Sequence, residues 1–149
     1  MNNINHAAKI IHHMTPLKNL EKHLLGQEIS HISKSPTGDN ATLHLKNGVT
    51  LEIYESDYDC CAAAYGDWEL HKPFHGGITN VTYSKEHQET GFPGETANYC
   101  TITILHENRA LATARGTANN GNGGYYFSAL SMQVKLHDTP TDDFEILHS

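Results

Sequence analysis

The stretch "ATLHLKNGVTLEIY", residues 41–54, constrains the fold of this chain more than any other. Leu43 and Leu45 occupy one arm and Val49, Leu51 and Ile53 the other, polar residues fall between them, and Asn47-Gly48 stands at the centre. Asn-Gly accepts the positive φ angles of a tight two-residue turn, so the pattern predicts a β-hairpin with one apolar face. An isolated hairpin is marginal in water, so the rest of the chain must supply further strands to cover that face.

Further strands can be read on both sides. Ile29 and Ile32 suit a first strand ending at "SPTGDN", and "GGITNVTYS" reads as another. "YCTITILHENRALATARG" reads as a second hairpin turning near Glu107-Asn108, with Ile102 and Ile104 on one face. After the loop "TANNGNGG", Leu130, Met132, Val134 and Leu136 alternate with Ser131, Gln133 and Lys135 in a long closing strand. Ahead of all these, Thr15-Pro16, then Leu17, Leu20 and Leu24, then Gly26 spell a short amphipathic helix with an N-cap, a first-turn proline and a glycine stop. The expected fold is α+β and mostly β: an antiparallel twisted sheet of about six strands, curled into a half-barrel or roll, with one short N-terminal helix. Residues 1–14 read as a flexible lead and 15–137 as one domain. Residues 138–149 read as an acidic tail, loosely held unless Phe144, Ile146 and Leu147 dock it.

A chain of 149 residues buries roughly 70% of its unfolded surface and needs no staple to fold. Ten basic against seventeen acidic side chains give a net charge of -7, and Arg109 and Arg115 are the only arginines. Without a basic stripe to displace counterions, direct nucleic-acid binding is not expected. No apolar run approaches the roughly 20 residues of a membrane span, and the first residues lack the pattern of a secretory signal, so a cytoplasmic setting is expected. Three cysteines in a reducing compartment do not make a disulfide framework.

The densest chemistry lies in "DYDCCAAAYGDWELHKPFH", residues 57–75. Cys60 or Cys61 with His71 and His75 offers a zinc donor set, the one cofactor worth weighing. Adjacent cysteines on a strand point to opposite faces, however, and Pro73 interrupts any helical presentation of the two histidines. Redox chemistry of the thioredoxin type uses Cys-x-x-Cys, which is missing, as are a nucleophile elbow, a Walker loop and His-Glu-x-x-His. "NNGNGG" lacks the lysine and helix of a phosphate loop and reads as a flexible connection. Aromatic residues near turns and strand ends, Tyr65, Trp68, Tyr125 and Tyr126, are candidates to stack on a ligand, and Arg109 and Arg115 to meet a phosphate or carboxylate through a planar fork. Each aromatic has the competing role of completing the core.

"LLGQEISHIS", the hairpin "LHLKNGVTLEIY", "DCCAAAYGDWEL" and "RGTANNGNGGYYFSALSMQVKL" together resemble, in order and spacing, an uncharacterised domain family of phage and bacterial proteins, across roughly residues 17–136. The resemblance carries no catalytic residues to transfer but implies a phage or mobile-element setting. This chain departs from the family pattern after Cys61, where alanines follow, and in its histidine-rich start. The function expected is a small non-enzymatic binding protein that captures a small ligand such as a nucleotide messenger against a host defence. The alternatives are an acidic inhibitor of a host nucleic-acid-binding enzyme and a Cys/His metal-dependent enzyme. A small molecule or a host protein is the expected partner, and open sheet edges invite pairing with a second copy.

Overall fold

The computed structural model of the chain describes residues 16–37 and 40–149. Among the described residues nine strands form two antiparallel sheets laid face to face. In chain order they are β1 (Ile29–Lys34), β2 (Ala41–Leu45), β3 (Val49–Tyr58), β4 (Ala64–Leu70), β5 (Asn80–Glu89), β6 (Thr96–His106), β7 (Arg109–Asn119), β8 (Ser128–Leu136) and β9 (Thr139–His148). One sheet has the order β1-β2-β3-β8-β9 and the other β4-β7-β6-β5. The protein is thus mostly β and antiparallel, as expected. The strands number nine rather than about six, and they divide between two sheets instead of curling into one.

The Asn47-Gly48 hairpin forms with Leu43 opposite Leu51, both fully buried. On its other edge β3 pairs with β8, setting Leu51 against Val134 and Ile53 against Met132. Facing them from the second sheet are Trp68, Cys100, Ile102, Ile104, Ala112, Ala114 and Ala118, all buried. The inward side chains of β4 and β7 are mostly small because the sheets come close there. Gly66 and Gly116 are register partners. A Cβ on Gly116 would lie 2.5 Å from Leu130 Cδ2, and one on Gly66 3.0 Å from Ile53 Cγ2.

The helix α1 occupies residues 16–24. Leu20 and Leu24 are fully buried in the shared core, and Gly26, at φ +82°, ends the helix and donates its N–H to the Ile78 carbonyl at 2.8 Å. The Thr15 cap and the lead over residues 1–14 lie outside the described residues. The tail is docked rather than loose: it forms β9, with Phe144, Ile146 and Leu147 buried. The His23 ring stacks against Phe144, its Nε2 lying 2.7 Å from Asp142 Oδ2, and so ties α1 to that strand.

"NNGNGG" is a crossing between sheets, from β7 to β8, and not a free hairpin connection. Asn119 Oδ1 accepts the N–H groups of Ala63 and Gly121 at 3.0 and 3.1 Å, while Asn120 Nδ2 donates to Thr96 Oγ1 at 2.9 Å. Ser128 Oγ bonds the carbonyls of Ala63 and Asn119. The turn after β3, the tip of the β5–β6 hairpin and this crossing are thereby fastened into one end of the sandwich.

Candidate functional site

The outer face of the four-stranded sheet gathers chemistry that its sequence disperses. Along β4 the alternation turns Trp68 and Ala64 inward and Tyr65, Asp67 and Glu69 outward, where all three are exposed. Register carries that face across the sheet. Tyr65 lies beside Thr117 and Thr117 beside Tyr99, and Asp67 beside Arg115 and Arg115 beside Thr101. Tyr65 and Tyr99 thus flank the central strand β7, about 10 Å apart at two strand spacings, with Arg115 one outward position along β7.

Arg115 Nη1 donates to Glu69 Oε2 at 3.0 Å, with both side chains more than half exposed (66% and 60%). Lys34, on β1 of the other sheet, donates to Asp67 Oδ2 at 3.0 Å and is equally open to solvent. Water screens such pairs, and each guanidinium or ammonium can exchange its carboxylate for another anion at little cost. Between the β1 and β4 edges runs a groove of about 600 Å³, floored by Ile32, Trp68 and Leu70 and rimmed by Lys34, Lys72 and Arg115 together with the carboxylates of Asp67 and Glu69. An apolar floor, tyrosine rings on the adjoining face and three cations at the rim, two of them paired with exposed carboxylates that an incoming anion would displace, suit a flat molecule carrying negative charge.

The sequence-derived candidates separate on this structure. Tyr65 and Arg115 share the face. Trp68 borders the groove from beneath, only 2% exposed, and donates its indole N–H to the Leu51 carbonyl at 3.2 Å, so its main place is in the core. Arg109 is committed to the chain itself: Nη1 donates to Pro73 O at 2.5 Å and Nη2 to His75 O at 2.6 Å, clamping the loop after β4. Its planar fork, expected to meet a ligand, meets two carbonyls. Tyr125 and Tyr126 lie at the fastened loop end, where Tyr125 is 87% exposed.

The zinc set does not assemble. Cys60 and Cys61 precede β4 while His71 and His75 follow it, at opposite ends of a strand about 20 Å long. His71 is engaged with Thr113 Oγ1 at 2.8 Å. Among the described residues no group of three or more His, Cys, Asp or Glu side chains is placed to hold a metal ion. The cysteines also correct an expectation: they sit on a turn, not a strand, and their sulfurs are 2.8 Å apart on one side instead of on opposite faces. Cys100 is buried, which pushes its thiol up to about 11.

Tyr99 was missed by reading the chain alone. Ile102 and Ile104 mark the inward face of β6, so Tyr99, Thr101 and Thr103 must face out, and that much was available in the sequence. What was not available was β4, whose pairing with β7 brings Tyr65 and Tyr99 to either side of Thr117.

Among the described residues no helix is long and apolar enough to cross a membrane. No curated protein and no solved structure matches the sequence. The fastened loop end, the Asn47-Gly48 hairpin and β8 up to Met132 all fall within residues 22–132, which match the model of a domain of unknown function, DUF7448, and the chain belongs to that family.

Proposed function

We propose that this is a non-enzymatic binding protein of phage type that captures a small, flat, anionic ligand of the nucleotide class on the outer face of its four-stranded sheet. The observation that carries the reading is the common face of Tyr65, Tyr99 and Arg115, continuous with the groove rimmed by Lys34 and Lys72. A base would stack on a tyrosine ring while Arg115 exchanges Glu69 for a phosphate, and the threonine hydroxyls of β6 and β7 would bond the sugar. In a phage setting, holding such a messenger would withdraw it from a host defence.

The alternative, an acidic inhibitor docking on a nucleic-acid-binding enzyme, has less support. Of the acidic side chains along β9, Asp142 is paired with His23, Asp143 accepts the Tyr54 hydroxyl and Glu145 meets His148. Each of these three already has a partner within the chain that a docking enzyme would have to displace.

Isothermal titration with mono-, di- and cyclic oligonucleotides, and with the matching nucleosides, tests the proposal. Phosphorylated members should bind and nucleosides should not. Tyr65→Ala and Arg115→Ala should each weaken binding by about 1–3 kcal/mol, the range of one stacking or one charged hydrogen-bonding interaction. Tyr54→Phe, on the five-stranded sheet, should leave binding unchanged. Binding indifferent to Tyr65→Ala and Arg115→Ala, or no binding across the panel, would rule out this face as the site.

A further inference from the structure

The binding face makes no use of Cys60 and Cys61, yet the geometry of this pair is specific. The Ala62 N–H donates to the Asp59 carbonyl at 3.2 Å, closing a four-residue turn with the two cysteines at its centre. Cys61 has φ +77° while Cys60 keeps a negative φ, the pattern of a type II turn, whose third position ordinarily goes to glycine. A cysteine held in the left-handed region is a conformational cost that ordinary corner-making does not require. The crossing loop holds the corner in place: Gly121 passes so close that a Cβ there would lie 2.7 Å from the Cys61 carbonyl oxygen. Both thiols are exposed, their sulfurs are 2.8 Å apart, and Tyr126 lies alongside, its hydroxyl pushed up by the neighbouring Cys61 and Cys60.

Two adjacent thiols can close on each other or on a third atom. Direct closure is strained, because neighbouring Cα atoms stand about 3.8 Å apart, below the roughly 4.4 Å at which disulfides begin. Inserting one bridging atom enlarges the ring and relieves that strain. Zinc would require further donors, which the described residues do not supply here. A linear two-coordinate ion would push the sulfurs apart. A pyramidal trivalent centre, with its bonds near right angles, keeps them close.

We infer that Cys60 and Cys61 form a vicinal dithiol site for a thiophilic trivalent metalloid, arsenic(III) or antimony(III), bridged between the two sulfurs. With an organoarsenic oxide the step balances without an oxidant. Two As–S bonds form, the As–O bonds break, and the two thiol protons leave with the oxygen as water while arsenic remains trivalent.

The test uses the full reduced chain and phenylarsine oxide, read by intact mass under native conditions. One adduct per chain is expected, with the mass of the reagent less one water, located by proteolytic mapping to the peptide that contains residues 60 and 61. It should survive excess 2-mercaptoethanol and be stripped by 2,3-dimercaptopropanol. Cys60→Ser and Cys61→Ser should each reduce retention under monothiol by at least about a hundredfold, the advantage that effective concentration gives a second attachment on one chain. Cys100→Ser should retain the adduct, and mapping on the unaltered chain gives the same information should that variant not fold. No adduct on the native chain, an adduct mapping to Cys100, or undiminished retention in either single-thiol variant would overturn the inference.

Discussion

Truncating Trp68 to alanine empties the volume of an indole that is 2% exposed and lies between the sheets, and it takes away the N–H that the Leu51 carbonyl accepts at 3.2 Å. Removing a large buried aromatic costs about 3–5 kcal/mol, the cavity included. Against a total stability of about 5–15 kcal/mol this is a large fraction. In a chain of this size each kcal/mol moves Tm by about 2–4 °C, so the variant should melt roughly 6–20 °C lower. Trp68→Phe keeps most of the buried area and loses the hydrogen bond, and should cost only about 1–2 kcal/mol. Circular dichroism during thermal and urea unfolding measures both. Because Trp68 is the only tryptophan, the unaltered protein supplies an independent check: its emission should be blue-shifted and shielded from acrylamide until the chain unfolds. Water-exposed emission in the native state, or an alanine variant within 1 kcal/mol of the original, would refute the assignment of this residue to the core.

Gly116→Ala should destabilise by about 1–3 kcal/mol through overpacking, since the new methyl would meet Leu130 Cδ2 at 2.5 Å and Cys100 Sγ at 3.0 Å; urea midpoints check this. The hydrogen bond with His23 holds Asp142 below its ordinary carboxylate range. A depressed folded value means stability that is present above about pH 4, the unfolded value, and is lost as pH falls through the folded one. Asp142→Asn should therefore flatten the acid limb of the stability curve measured between about pH 5 and 2. Arg109→Ala frees the carbonyls of Pro73 and His75, so limited proteolysis within residues 71–78 should quicken while Tm moves little.

Most strands were legible because their apolar residues alternate cleanly, as in Leu43 and Leu45 or Leu130, Met132 and Val134. Two strands escaped for different reasons. In β4 the inward positions are Ala64, Gly66, Trp68 and Leu70, and a glycine and an alanine dilute the period; they are small because Leu130 and Ile53 fill the space opposite Gly66. In β9 the charged run before Phe144 hides the strand. The turn leading into it uses His137 and Asp138 at φ +48° and +69°, angles that Asn-Gly announces and His-Asp does not. The candidate site was half legible. Tyr65 and Arg115 stood out as residue types, but only the pairing of β4 with β7 brings them onto one face, and no local pattern reports that register. Trp68 and Arg109 hold places in the core and in a loop that their residue types did not reveal, because a ring or a guanidinium serves a core or a loop as readily as a ligand.

The pairing of β3 with β8 has a consequence in time. It joins Glu55 to Leu130, so the edge of β3 that carries Leu51 and Ile53 stays open until most of the chain has been synthesised. The hairpins β2–β3 and β6–β7 can close early, but the sheets can seal only once β8 emerges, so folding should be limited by this late, non-local step. Stopped-flow refolding should give a slow main phase that Leu51→Ala and Val134→Ala, which face each other across it, both retard. A fast phase insensitive to either would instead place the commitment to fold within the hairpins.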